Sequence, residues 1–214
     1  MKSRSIRQIT LLIILLSFLA GVYLYPQMPE NVASHWDASG QVNGYTPKAL
    51  FLFLLPAISA LLFAVFTLIP RLDPLRRNID AFRQNYDLFV LELVALLAYI
   101  HLLAILWNLG LKFNVLQMLA PALGLFFYFV GVLTENSRQN WFIGIRTPWT
   151  LSSERVWDKV NRRAGKLFKA AGALAALGAV FPRYAFLLIV APVILTALYD
   201  IVYSYLEYRK EVRH

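Results

Sequence analysis

Cysteine is absent from this 214-residue chain, and acidic residues are scarce, with 12 Asp and Glu against 21 Lys and Arg. The lack of cysteine excludes a disulfide framework, a thiolate nucleophile and a cysteine metal site. Charged residues make up only 15% of the chain, whereas hydrophobic residues reach 59% and the mean hydropathy is +0.57. These proportions are far too apolar for a soluble domain and indicate an integral membrane protein.

Six apolar segments have lengths near the roughly 20 residues that a helix needs to cross the hydrocarbon of a bilayer. They run from Ile9 to Tyr25, Ala49 to Ile69, Leu88 to Trp107, Val115 to Leu133, Leu167 to Phe181 and Tyr184 to Tyr205. The sequence therefore predicts an all-α, polytopic membrane protein with six transmembrane helices. We divide it into a two-span unit, 1–70, with an outer loop at 26–48, and a four-span unit, 71–214, with a cytoplasmic motif loop at 134–166.

Basic residues are divided unequally between the predicted loops. The N-terminal segment, the loops after the second and fourth spans, and the C-terminal segment hold 18 of the 21 Lys and Arg. Only Lys48, Lys112 and Arg183 fall on the opposite side. The positive-inside rule then predicts a multi-pass protein of the cell membrane with both termini in the cytoplasm. Attraction to anionic membrane lipids accounts for the net charge of +9 without any binding of nucleic acid.

An amphipathic helix is predicted to precede the fifth span. Ser152 or Ser153 can cap it, and apolar residues recur at helical spacing on one face, namely Val156, Trp157, Val160, Ala164 and Leu167. We expect this helix to lie in the membrane surface, with the alternative that it feeds into the fifth span without a break. Two small-residue pairs, Ala120 with Gly124 and Gly172 with Ala176, predict close helix packing within the chain.

The most informative loop is NWFIGIRTPWTL, from Asn140 to Leu151, because plain membrane anchoring does not need it. Gly144 permits a backbone conformation that a side chain would forbid, and Pro148 disfavours the helical region for Thr147. The segment is therefore predicted to be a shaped loop. It is either a recognition surface or an aromatic belt at the bilayer surface with a solvated arginine.

Arg146 is the charged centre of that loop, since its planar guanidinium suits carboxylates, phosphates and free carbonyls. We expect it to be held by a bidentate partner, such as Glu135 or Asp200 at the end of a span, or by a helix C-terminus. Lysine could not reproduce such a fork, so an Arg146→Lys change is expected to restore function poorly.

The outer loop, Tyr25–Lys48, contains His35 and Asp37 with Gly40 and Gly44 beyond them. The two ionisable residues could ligate a metal or share a proton. Two ligands are fewer than the three that a catalytic metal site usually has, so a metal at His35 and Asp37 is only the weaker alternative. The glycines favour a structured, turn-rich outer cap, and no cofactor is predicted.

Three ionisable residues lie inside predicted spans: Glu92 and His101 in the third, and Asp200 in the sixth. Such residues are functional candidates because desolvation of their charged forms is costly. Glu92 and Asp200 lie near the inner surface, which favours ion pairs with loop arginines over a proton or ion pathway.

Two motifs, in this order, resemble the bacterial SdpI family. MPENVASHWDASGQVNGYTPK, Met28–Lys48, resembles its N-terminal domain of unknown function, and NWFIGIRTPWTLSSERVWDKVNRRAG, Asn140–Gly165, resembles its C-terminal signature. The resemblance implies a membrane immunity protein that gives resistance to a secreted antimicrobial peptide toxin. It also implies signalling, because the family's founding system holds a cytoplasmic repressor at the membrane.

The resemblance marks candidate binding residues at both loops. In the cytoplasmic motif these toxin- or partner-binding candidates are Asn140, Gly144, Arg146, Thr147, Pro148, Trp149, Thr150 and Trp157. In the outer loop they are His35, Gly40 and Lys48, to which the loop's own chemistry adds Trp36 and Asp37.

Two other classes of function stay open beside a non-enzymatic immunity protein. One is a membrane enzyme acting on lipid or peptide, with His35 as base and Asp37 as orienting acid. The other is a small transporter or channel that uses Glu92, His101 and Asp200. The sequence has no G-x-S-x-G or H-E-x-x-H motif, which disfavours the enzyme.

Overall fold

The structure, a computed structural model, describes residues 3–213 and consists of helices with one small β-hairpin. The helices are α1 Ser3–Leu24, α2 Lys48–Leu72, α3 Arg76–Ala81, α4 Arg83–Asn108, α5 Val115–Asn136, α6 Pro148–Ser152, α7 Glu154–Ala176 and α8 Ala185–Val212. The hairpin pairs β1 Asn31–Trp36 with β2 Val42–Pro47. Within residues 3–213, five helices, α1, α2, α4, α5 and α8, are long and apolar enough to cross a membrane. The predicted all-α, multi-pass membrane fold is confirmed.

The sixth passage along the bundle is made by α7, which is too polar to count among those five helices. It runs antiparallel to α5. A Cβ added at Gly131 would lie 2.5 Å from the carbonyl oxygen of Gly165, and one at Gly124 would lie 2.6 Å from that of Gly172. Farther along, the Gln117 side chain donates to the carbonyl of Ala179 over 2.8 Å. The contacts thus extend from one end of α5 to the other.

Close packing of small residues within the chain is confirmed at this interface. A Cβ added at Gly124 would also come within 2.9 Å of the Ala176 Cβ atom. The amphipathic segment and the expected fifth span form one continuous helix, so the alternative without a break applies. Ser153 caps it by accepting from the Val156 N–H over 3.2 Å, and the predicted apolar face is buried apart from the partly exposed Leu167.

The helices form two groups joined by contact between α4 and α5. In one group α1, α2 and α4 pack together, and in the other α5, α7 and α8 do so. Leucines of α1 such as Leu12, Leu15 and Leu19 remain more than half exposed, as expected for side chains that face lipid.

The basic segments meet at one end of the bundle, called the inner end here. Arg7 of α1 contacts Asp87 at the start of α4, Asn78 of α3 donates to the carbonyl of Gln139, and Ser153 contacts Glu211 near the C-terminus. The hairpin lies at the opposite, outer end. Assignment of the inner end to the cytoplasm stays a prediction of the positive-inside rule. Lys2, one of the basic residues behind that rule, lies outside the described residues.

Candidate functional site

Asn140 organises the inner motif, defined here as residues 137–161. Its side chain is fully buried. The amide oxygen accepts from the backbone N–H groups of Phe142 and Ile143 over 2.8 and 2.7 Å, and the amide nitrogen donates to the carbonyls of Arg138 and Ile143 over 2.8 and 3.0 Å. These four bonds use the full hydrogen-bonding capacity of an asparagine side chain. Asn140 therefore shapes the loop.

Gly144 allows the loop to pass directly over α7. Its φ of +103° lies in the region that favours glycine, and an added Cβ would lie 2.5 Å from the Asn161 side-chain oxygen. That oxygen accepts from the Ile145 N–H over 2.7 Å, while the Asn161 amide nitrogen donates to the carbonyl of Trp157 over 3.1 Å. The fully buried Trp157 donates its indole N–H to the carbonyl of Ser137 over 3.1 Å. Loop and helix are thus fastened together.

Thr147 and Thr150 form a reciprocal cap at the start of α6, with Pro148 at its first turn. The Thr147 N–H donates to the Thr150 hydroxyl over 2.9 Å, and the Thr147 hydroxyl donates to Ser204 of α8 over 3.0 Å. Both threonines are buried, and the Trp149 ring packs 5.2 Å from that of Tyr205. These predicted site residues tie the motif to α8.

The prediction that a carboxylate pairs with Arg146 is wrong. Arg146 is exposed and donates to the backbone carbonyl of Trp141 over 2.6 Å. Glu135 pairs instead with Lys169. Asp200 is fully buried, and its carboxylate oxygens accept no hydrogen bond from the described residues. Arg146 beside the half-exposed Trp141 matches the alternative of an aromatic belt with a solvated arginine.

Sequence reasoning missed two residues that hold the motif in place, Asp73 and Asn161. Asp73 is 2% exposed and accepts from the N–H groups of Leu75 and Trp141 over 2.7 and 2.9 Å. The signal for it was the Asp-Pro pair at the end of the second span, which favours a turn. For Asn161 the signal was a polar residue on the apolar face of the amphipathic helix, between Trp157 and Ala164.

The outer hairpin, residues 31–47, is seated firmly on the bundle. The Asn108 side chain at the end of α4 accepts from the N–H of Ala33 over 2.9 Å and donates to its carbonyl over 2.8 Å. Met28 and Val32 are buried against residues of α2 and α4. At the base of the hairpin, Lys48 pairs with Glu30 over 2.8 Å and lies 4.9 Å from the Tyr25 ring centre. The expected structured outer cap is therefore a β-hairpin that is hydrogen-bonded to the end of α4 and packed against the bundle.

His35 and Asp37 are each bound to a different partner. The His35 Nδ1 atom lies 2.5 Å from the Asn43 side-chain oxygen. One oxygen of Asp37 accepts from the Ser39 hydroxyl over 2.6 Å and from the Gln41 N–H over 3.0 Å, in a turn completed by Gly40 at a φ of +82°. The Ser39 hydroxyl and then the Gln41 N–H hold the pKa of Asp37 below its usual value. Within residues 3–213, no three His, Asp or Glu side chains lie close enough together to hold a metal ion.

An apolar pocket of about 290 Å³ lies under the hairpin, between it and the outer ends of α4, α5 and α8. Its apolar walls come from Ile100, Ala104, Val115, Leu116, Leu119 and Phe186, and hairpin residues 34–38 complete it. The Trp36 ring packs edge-on against Trp107, with ring centres 5.6 Å apart. Its indole N–H is buried and finds no acceptor among residues 3–213. A buried donor without an acceptor is costly, but this N–H is not open to the pocket, whose walls suit an apolar group.

The three intramembrane candidates are spread over both helix groups. Glu92 and His101 lie on α4, where His101 is buried with its ring 6.0 Å from that of Phe51. Asp200 lies on α8. Among the described residues, no hydrogen bond or ion pair connects any two of the three, and the expected ion pairs of Glu92 and Asp200 with loop arginines are not formed either.

The fold and its two ends define a class: a multi-pass helical membrane protein with a hairpin-capped outer end and an internally bonded inner motif. Residues 136–204 match the SdpI/YfhL protein family, and residues 12–60 match a domain of unknown function, DUF1648. The chain is 28% identical to Immunity protein SdpI of Bacillus subtilis (strain 168) over 206 residues, which cover 94% of this chain and 95% of that relative. No solved structure matches it. The SdpI-family resemblance predicted from the two motifs is confirmed.

Proposed function

We propose that this protein is an immunity protein of the cell membrane that protects its cell from a secreted antimicrobial peptide, and that it meets the peptide at the outer hairpin. Similarity to Immunity protein SdpI supports the class of function. The outer pocket carries the proposed location: its apolar walls suit a side chain of an amphipathic peptide, and a peptide carbonyl would supply the acceptor that the buried Trp36 N–H lacks once the ring turns toward the pocket.

A signalling role is part of the same proposal. The cytoplasmic repressor implied by the family resemblance would bind at the inner end, where a polar cavity of about 650 Å³ opens beside the inner motif. Charges of both signs line it, with Glu135, Glu154 and Asp158 facing Arg138 and Arg162. A mixed charge pattern supports recognition of a folded partner by complementary charges.

No observation favours the enzyme or the transporter over this proposal. His35 and Asp37 are bonded to Asn43 and to the turn rather than to each other. Glu92 and His101 are separated from Asp200 by their placement in different helix groups.

Protection assays in a sensitive strain that lacks its own immunity gene test the proposal. Cells expressing this chain are challenged with the peptide toxin of an SdpI system and with secreted peptides of the native host, and survival and membrane potential are measured. Trp36→Phe keeps the ring but loses the donor, and we expect roughly fivefold weaker protection from the loss of about 1 kcal/mol of hydrogen bonding. Leu119→Trp fills the pocket and should weaken protection further.

Trp141→Phe at the inner end is the matched control, since Trp141 is half exposed and its indole N–H donates to no described residue. It should protect like the unchanged chain. Full protection by both pocket variants at equal expression would show that the peptide does not bind in this pocket. Failure of the unchanged chain against every peptide would instead refute the immunity function itself.

A further inference from the structure

We infer that the inner end binds the phosphate of an anionic phospholipid headgroup, in a cavity that the immunity proposal does not use. The cavity measures about 480 Å³ and lies between the inner ends of α1, α2, α3 and α4. Five arginines from these four helices line it: Arg7, Arg71, Arg76, Arg77 and Arg83. The guanidinium group binds phosphate oxygens through two parallel N–H donors, so such a cluster is suited to a phosphate.

Internal ion pairs neutralise only part of this charge. The Nε atoms of Arg7 and Arg83 each lie 3.3 Å from the same oxygen of Asp87. Asp80, the acidic residue in the cavity wall, is 3.9 Å from Arg83.

The remaining three arginines, Arg71, Arg76 and Arg77, are exposed and form no ion pair with any residue in 3–213. The five arginines of the cavity therefore exceed by three the two carboxylates that pair with them, Asp80 in the wall and Asp87 beside it. The larger polar cavity at the same end lacks this excess, because it has three acidic residues against two arginines.

The depth of the cavity favours a lipid over a free anion. Thr67 and Pro70 form part of its wall, so it begins inside the last two turns of the membrane helix α2. Leu68 and Leu72 on the same helix end are 48% and 67% exposed, and apolar side chains at this level can lie against acyl chains. Basic pockets between helices on the cytoplasmic side are typical sites for anionic headgroups.

The test compares two variants of the full chain that lose the same charge at the same end. The triple variant R71Q/R76Q/R77Q removes the unpaired arginines of the cavity. The control R138Q/R155Q/R209Q removes three exposed arginines that form no ion pair with the described residues and do not line the cavity. Each protein is placed in nanodiscs of phosphatidylcholine with or without phosphatidylglycerol, and retained lipid is counted by native mass spectrometry after extraction into detergent.

We expect the cavity variant to retain phosphatidylglycerol at least about tenfold more weakly than the unchanged chain, since each arginine adds to the attraction, and the control to stay close to the unchanged chain. Thermal unfolding in detergent should be alike for all three proteins. Equal losses of bound phosphatidylglycerol in both triple variants would show that lipid is attracted to the basic surface in general, and they would overturn the proposed site. Displacement of the lipid by inorganic phosphate or glycerol phosphate would show that the cavity binds a free anion, and it would overturn the proposal of a lipid site.

Discussion

The inner motif and the outer hairpin are both turn-rich, yet they use their polar side chains in opposite ways. At the inner end, Asn140 and Asn161 are buried and bonded to backbone groups of the motif itself. At the outer end, Trp36 lines an apolar pocket, and its buried N–H has no acceptor among the described residues. The inner motif thus uses its polar groups to build its own loop, whereas the outer end keeps a buried donor without an acceptor.

The largest effect that would sharpen this comparison is expected for Gly144→Ala. The positive φ alone costs about 1–3 kcal/mol for a residue with a side chain, and the new Cβ must also displace Asn161 from its two hydrogen bonds. We expect a clearly lower unfolding temperature in detergent and loss of protection. Gly110→Ala is the matched control, because Gly110 has a φ of +106° but nothing lies within 4 Å of an added Cβ. Equal shifts for the two variants would contradict a tightly fastened inner motif.

An intermediate effect is expected for acid at the outer hairpin. The folded-state pKa of Asp37 is lowered, so its contribution to stability is present above the ordinary value of 3.8 and is lost as the pH falls below it. Hydrogen exchange of residues 31–47 should therefore speed up in acid relative to that of the helices. Asp37→Asn should remove this acid dependence and keep protection at neutral pH, because an amide oxygen accepts the same backbone bonds. Abolished protection in Asp37→Asn at neutral pH would revive the enzyme hypothesis.

The smallest effect is expected for Arg146→Ala. Loss of one exposed hydrogen bond to the Trp141 carbonyl should cost about 1 kcal/mol or less, and Arg146→Lys should behave almost like the unchanged chain because an ammonium can also donate to a carbonyl. Unfolding temperature and protection are measured together. Strongly reduced protection with an unchanged unfolding temperature would show instead that Arg146 binds a partner.

Local patterns in the sequence predicted the helices well, since apolar length and small-residue spacing are properties of single segments. The small-residue pairs that include Gly124 and Gly172 predicted close helix packing, and the structure places these two glycines against each other. The hairpin strands and the contacts of Arg146 did not, because they depend on residues far away along the chain. Asn108 sets the position of β1 across 75 residues, and Asp73 holds Trp141 across 68.

The carboxylate expected for Arg146 illustrates the same limit. Charge and spacing favoured a bidentate pair, but the Asn140 turn leaves Arg146 exposed at the surface, and Lys169 occupies Glu135. Which acidic residue pairs with which basic residue is decided by the antiparallel arrangement of α5 and α7, which no single segment encodes.

The polar character of α7 has a consequence for biosynthesis. Its first four turns carry seven charged residues, so this helix is too polar to partition into lipid by itself during synthesis. Its glycines Gly165 and Gly172 pack against α5, which is translated earlier and is long and apolar enough to cross a membrane. We therefore expect α7 to enter the membrane only where α5 is already in place, with Gly131 and Gly124 providing the surface against which it packs.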